Sequence, residues 1–423
     1  MPWTHLLWNC ANCGDIVAIQ RLFSEGKASP YDTNLQGGNA LIYAATRRNA
    51  KLGQFLIQQG ADADIADTFG SRPIEAFFDA VLSGQMEAED SQIVKNMFEG
   101  SDYAETRCFT LIHKIVIGIV SRDLETELRS STATINTMDA LNRTPICWAT
   151  LRDDSKSVST LLAFNADPNL IDYQGKNCLF YVRSTDVCKR LLSANINLHA
   201  RGRKYARVPL HSVCSCIETA EIPDVVDLLV DAGADVNVRD GDGETPLLNA
   251  VYQGYTSIAR KLIDLGANVN TPNYSSQDTA IHFAVSFDRF EILPLLLEKG
   301  ADYTAKNIHG RNVLHMAARK GGAKTVTALS NANLMGLDTS LKDDEGKTVY
   351  DYLAEREIPS DSEVGLHENF QKLIALNTLG APLSTSPKSS ANFEDVVYDL
   401  ESQREPDSSY HFPGAYPISG EDQ

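Results

Sequence analysis

The sequence is short of positive charge. It carries 38 Lys and Arg against 56 Asp and Glu over 423 residues, a formal net charge of −18. Binding a nucleic-acid backbone needs clustered cations, so that ligand class is not expected. Long apolar runs are also missing. The longest, around Thr110–Val120, is broken by His113 and Lys114 and falls far short of the ~20 residues that span a bilayer. Membrane insertion is therefore not expected. Met1-Pro-Trp-Thr-His lacks a basic segment followed by an apolar core, so no secretory signal is read. The eight cysteines are scattered, which suits reduced thiols in the cytoplasm, with the nucleus as the alternative.

Enzyme signatures are absent as well. There is no Gly-rich phosphate loop, no Gly-x-Ser-x-Gly and no His-Glu-x-x-His. Cys10-Ala-Asn-Cys13 has the spacing of half a zinc site or a redox pair, but a closed zinc site needs two further ligands and no second Cys-x-x-Cys follows. Asp240, Asp242 and Glu244 fall on an expected exposed turn and read as solvated carboxylates. No catalytic residue, cofactor or metal is expected.

What the chain does have is a period. Asp240-Gly-Asp-Gly-Glu-Thr245-Pro246-Leu247 is followed 34 residues later by Thr279-Ala-Ile-His282, and 33 after that by Asn312-Val-Leu-His315. Upstream lie Thr110-Leu-Ile-His113, Thr144-Pro-Ile-Cys147 and Val208-Pro-Leu-His211. A chain of this length exceeds one ordinary core, but stacked units relax that limit because each packs only on its neighbours.

Each unit reads as two short helices. Asp-Gly-Asp-Gly is turn chemistry. Thr245 suits a helix N-cap and Pro246 the first helical position. Leu247, Ala250 and Val251 recur at helical spacing, then Ile258, Ala259, Leu262 and Ile263. The second helix stops at a residue fit for a left-handed backbone: Gly26, Gly60, Gly233, Gly266 and Gly300, with Asn165 and Asn195 in two further units. Pro294 falls in the first turn of its helix, where it costs little.

These residues resemble the ankyrin repeat, with Val208-Pro-Leu-His211, Leu228-Leu-Val-Asp-Ala-Gly-Ala-Asp235 and Leu295-Leu-Leu-Glu-Lys-Gly-Ala-Asp302 as the closest matches to its pattern. The resemblance covers roughly 1–355 in about ten or eleven units. It is strong over 137–170 and 201–335, weaker over 1–66 and poor over 67–136, where Ser83–Asp90 looks inserted. It implies an all-α fold, a curved ankyrin-repeat solenoid of helix-turn-helix units with projecting β-hairpin loops. Divergent N-terminal repeats are expected over 1–136, C-terminal repeats over 137–355 and a helical cap over 356–379. Residues 380–423 form an acidic tail, expected to be mostly disordered. Trp3 and Trp8 are expected to tuck inward. The uneven start also fits the recognition arm of a larger protein.

The family implies a structural role for His113, His211, His282 and His315, tying neighbouring turns together. It also implies a protein or peptide partner, met by hairpin tips and the exposed flank of each first helix. Those flank positions are Asn249, Tyr252, Gln253 and Tyr255, then Phe283, Ser286, Phe287 and Arg289, then Met316, Arg319 and Lys320. A second candidate contact is the hairpin Arg201, Arg203, Lys204, Tyr205, Arg207, which carries four cations within seven residues. The leading expectation is a non-catalytic, monomeric scaffold. One alternative is a switch in which the tail covers the groove or this hairpin, modulated by phosphorylation near Ser386-Pro387. The other is a thiol or zinc protein using Cys10 and Cys13.

Overall fold

The computed structural model describes residues 4–34, 37–68, 72–98, 107–216, 219–332, 334, 337–356 and 366–378. Among these, the chain forms twenty-one α-helices, one 3₁₀ turn and no strand. The hairpins are tight loops without a ladder, and the isolated β-bridge found joins Thr33 and Asn39. The chain divides into two compact units, Met1–Pro209 and Leu210–Gln423.

In the first unit the paired helices run Thr4–Cys13 with Ile16–Ser24, Ala40–Thr46 with Ala50–Gln58, and Pro73–Leu82 with Ala88–Met97. Leu111–Val116 with Leu124–Ser130 and Pro145–Leu151 with Ser155–Ala163 follow, then the 3₁₀ turn Cys178–Tyr181 with Thr185–Ser193. In the second unit Pro209–Ser215 pairs with Ile222–Asp231, Pro246–Gln253 with Thr256–Asp264 and Ala280–Ser286 with Leu293–Glu298. Val313–Lys320 with Ala323–Asn331 comes next. Val349–Glu355 then precedes Leu366–Thr378, which packs on Ala323–Asn331. Phe370, Leu373 and Ile374 are buried there, and Asn369 Nδ2 donates to Thr327 Oγ1 at 2.8 Å.

Local chemistry explains these elements. Thr245 Oγ1 accepts from the Leu248 N–H at 3.3 Å, with Pro246 in the first helical turn. Second helices open on Asp15, Asn49, Asp123, Asp154 and Ser184, whose side chains accept from the first-turn N–H groups. They close on the left-handed residues read from the sequence, from Gly233 at φ 104° down to Asn195 at φ 52°. First helices close the same way at Gly254, and at Arg48, Asp153 and Asp288 with φ 58°, 55° and 53°. That second set escapes a search for glycine. The stacked faces are apolar and buried, as with Ile146, Trp148, Leu161 and Leu191 in the first unit and Leu262, Ile281 and Leu296 in the second. Trp8 is half-buried and stacks on Tyr43 at 5.8 Å, while Trp3 lies outside the described residues.

Candidate protein-binding surface

The hairpins that flank the candidate surface are fixed from within. In most, a buried Asp or Asn carboxyl or amide oxygen accepts backbone N–H groups two and four residues on; Asn273 instead accepts from Ser276 and Asp278, three and five residues on, at 3.3 and 2.9 Å. Asp139 accepts from Leu141 and Arg143, both at 2.8 Å, and Asp172 from Gln174 and Lys176 at 2.8 and 3.0 Å. Asp240 accepts from Asp242 and Glu244 at 3.0 and 2.9 Å, and Asp343 from Glu345 and Lys347, both at 3.0 Å. Asn307 does the same for His309 and Arg311. Asp240 is only 3% exposed, which corrects the reading of it as a solvated carboxylate. Its burial is tolerated because its oxygens are hydrogen-bonded. The next residue of each hairpin then donates to the preceding hairpin. Tyr173 reaches Leu141 O at 3.0 Å, Tyr274 reaches Asp242 O at 2.8 Å and Ile308 reaches Ser276 O at 2.8 Å. Neighbouring tips are therefore held in register.

The four histidines act as ties. All are 0% exposed. Nε2 of His113, His211, His282 and His315 lies 3.0–3.1 Å from the carbonyls of Arg143, Glu244, Ala305 and Leu341, each in the following hairpin region. Thr110 and Thr279 hydroxyls meet Nδ1 of their own histidine at 2.8 and 3.0 Å. Burial lowers the pKa of His113, His282 and His315, so the imidazoles are neutral links and not acids.

With tips and helices held this way, the second unit presents a distinct strip. Tyr252 and Phe287 are 43% and 41% exposed and meet edge to face with centroids 4.6 Å apart. Arg289 Nε donates to the Tyr252 carbonyl at 3.0 Å, joining consecutive repeats. A cleft of about 220 Å³ beside the pair is lined by Gln253, Gly254, Asp288, Arg289, Phe290, Glu291 and Ile292. Arg319 is half-buried and Lys320 reaches solvent from the end of the next first helix. Burial lowers both of their pKa values.

Three flank positions are corrected. Asn249, Phe283 and Met316 are buried, at 3%, 7% and 5% exposure. First helices pack side by side, so positions a turn before the helix end abut the next repeat. Tyr255 is half-buried at the N-cap of Thr256–Asp264. Two exposed residues escaped the sequence reading, Tyr274 at 56% and Ile308 at 53%. They share the slot after the hairpin acceptor, 34 residues apart, and that spacing was the available signal.

In the first unit, three of the hairpin cations, Arg201, Lys204 and Arg207, fold onto their own loop. Arg201 Nη1 donates to Ala206 O at 2.8 Å, while the Arg203 backbone N–H donates to Gln174 O of the preceding hairpin at 2.7 Å. Lys204 and Arg207 lie over the Tyr205 ring at 5.1 and 5.3 Å. Further ties start from the stretch where the repeat pattern is poor. Asp79 meets both Arg107 at 2.6 Å and Arg143 at 2.7 Å, and Arg152 Nη1 donates to Leu82 O at 2.5 Å. The third helical pair is thereby tied directly to the hairpin and helix of the fifth. Burial works against the Arg143 charge, and Asp79 beside it more than restores it. Arg143 also lies over Trp148 at 5.2 Å, whose Nε1 donates to Asp139 at 2.9 Å.

Cys10 is half-buried and Cys13 exposed on one helix, and no group of three or more His, Cys, Asp or Glu suited to a metal occurs among the described residues. No described helix is long and apolar enough to cross a membrane.

Residues 210–307 match a family model described as ankyrin repeats, three copies. This part of the chain is made of ankyrin repeats. The chain also matches curated relatives. One is human "Transient receptor potential cation channel subfamily A member 1", 24% identical over 70% of this chain and 31% of that protein. Another is human "Ankyrin repeat and KH domain-containing protein 1", 40% identical over 21% of this chain and 4% of that one. This ankyrin chain thus spans under a third of the length of either. A solved ankyrin-repeat domain, that of Bcl-3, is 25% identical with a TM-score of 0.44, covering 50% of this chain and 95% of its own.

Proposed function

We propose that this chain is a non-catalytic interaction scaffold that holds a protein or peptide on the first-helix and hairpin flank of its second unit. One observation carries this reading. Every exposed large hydrophobic among the described residues of that unit falls in three consecutive repeats: Tyr252, Tyr274 with Phe287, and Ile308. Two sit at first-helix ends and two at hairpin tips, which are the slots that the repeat presents together. Stacking does not require these side chains outside, since the apolar faces between repeats are already closed. Tyr and Phe combine large contact area with little rotamer entropy, which suits interface anchors. A scaffold held by tip-to-tip and histidine ties changes little on binding, which lowers the cost of association. The work is carried out by a monomer in the cytoplasm or nucleus.

Lysine-directed cross-linking in native extract, followed by peptide mapping, tests this. Partner peptides should attach at Lys320. Attachment confined to lysines of the second helices, such as Lys261 and Lys299, would contradict it.

A further inference from the structure

We infer that the segment Phe393–Glu401 of this chain docks in cis on the Tyr252–Phe287 strip of the second unit. This rests on the reading of that strip as a binding surface, and names one occupant for it.

The segment lies outside the described residues, so the case is made from sequence and from the strip. Phe393, Val396, Val397 and Leu400 fall at i, i+3, i+4 and i+7, the spacing of one helical face. Glu394, Asp395, Asp399 and Glu401 occupy the remaining faces. An amphipathic segment of this kind suits a groove with apolar anchors. The strip supplies them in the edge-to-face pair at 4.6 Å. The adjoining cleft of about 220 Å³ has room for one side chain. Residues 391–423 carry eight acidic residues and one Arg. The cations nearest in the repeat frame are Arg289, in the cleft lining beside Asp288 and Glu291, and Arg319 and Lys320 at the end of the next first helix.

Reach is sufficient. The Leu366–Thr378 helix packs on Ala323–Asn331, which places it two repeats from Phe287 and three from Tyr252. At ~10 Å per helix layer this is about 20–30 Å, whereas the fifteen residues from Thr378 to Phe393 extend to about 50 Å. A short tether of this sort gives an effective concentration in the millimolar range, enough for a weak contact to be populated.

The test uses the purified full chain with a photo-cross-linking p-benzoylphenylalanine at position 287, and a control at Arg260 on a second helix. Irradiation should give an intramolecular adduct between position 287 and residues 391–403, none from position 260, and loss of the adduct in the double variant Val396→Glu, Val397→Glu. Adducts that avoid 391–423, that form only between two chains, or that survive the double variant would overturn the inference. If the purified chain gives no such adduct but position 287 captures another protein in extract, the docking idea fails while the binding surface stands.

Discussion

His282→Ala is the sharpest test of how the repeats are tied together. The imidazole is 0% exposed. Its Nε2–H donates to Ala305 O at 3.1 Å, and its Nδ1 accepts from the Thr279 hydroxyl at 3.0 Å and the Thr279 N–H at 3.3 Å. Truncation removes about 1 kcal/mol per neutral bond and leaves the Ala305 carbonyl and Thr279 groups buried without that partner, a total of about 3 kcal/mol. Urea denaturation followed by far-UV circular dichroism should show the second unit's transition shifted down by about 1 M or more. A pH series adds a second readout. Burial holds the folded-state pKa below the unfolded value of about 6.5. The native state then binds fewer protons, so the stability from this site is whole above pH 6.5 and is lost as pH falls through the lower folded value. The gap between wild type and variant should accordingly narrow on acidification. A shift under about 0.5 kcal/mol at pH 7.5, or a gap that widens toward pH 5, would refute the role assigned to the histidine.

Asp79→Ala should destabilise the first unit by about 3 kcal/mol in the same assay, because Arg143 stays buried after losing its counter-ion; a neutral outcome would mean that the third and fifth pairs are not joined there. Gly243→Ala should destabilise the second unit by about 1–3 kcal/mol, since Gly243 has φ 76° and an added Cβ would lie 2.5 Å from the Tyr274 ring. Thiol alkylation at pH 8 should modify exposed Cys13 and Cys108 quickly, while Cys178, pushed up to about 12 by burial, reacts only on unfolding.

The stack itself was legible because its signals are local. Left-handed stops, capping hydroxyls or amides and apolar spacing recur in most repeats, and the structure places those read from the sequence at helix ends. The flank was only partly legible. A single helix shows which positions lie opposite its core, but not how closely the next first helix approaches, and so Asn249, Phe283 and Met316 were counted as exposed. Asp240 was misjudged for a similar reason, since its burial depends on backbone N–H groups folding back around it. The tie from Asp79 to Arg107 and Arg143 joins residues 28 and 64 apart where the repeat pattern is weakest, and no periodicity announces it. Tyr274 and Ile308 were visible in principle, but their slot became meaningful only once the tip-to-tip bonds were seen.

The proposed flank of the second unit should carry the binding energy. The most direct measurement is the Kd of a cross-linked and identified partner for wild type, Tyr252→Ala, Phe287→Ala and the outer-helix control Arg260→Ala. Losses of about tenfold or more for each of the two aromatic variants, with the control unchanged, are the predicted result. Unchanged affinity in both aromatic variants, with a loss in the control, would contradict it.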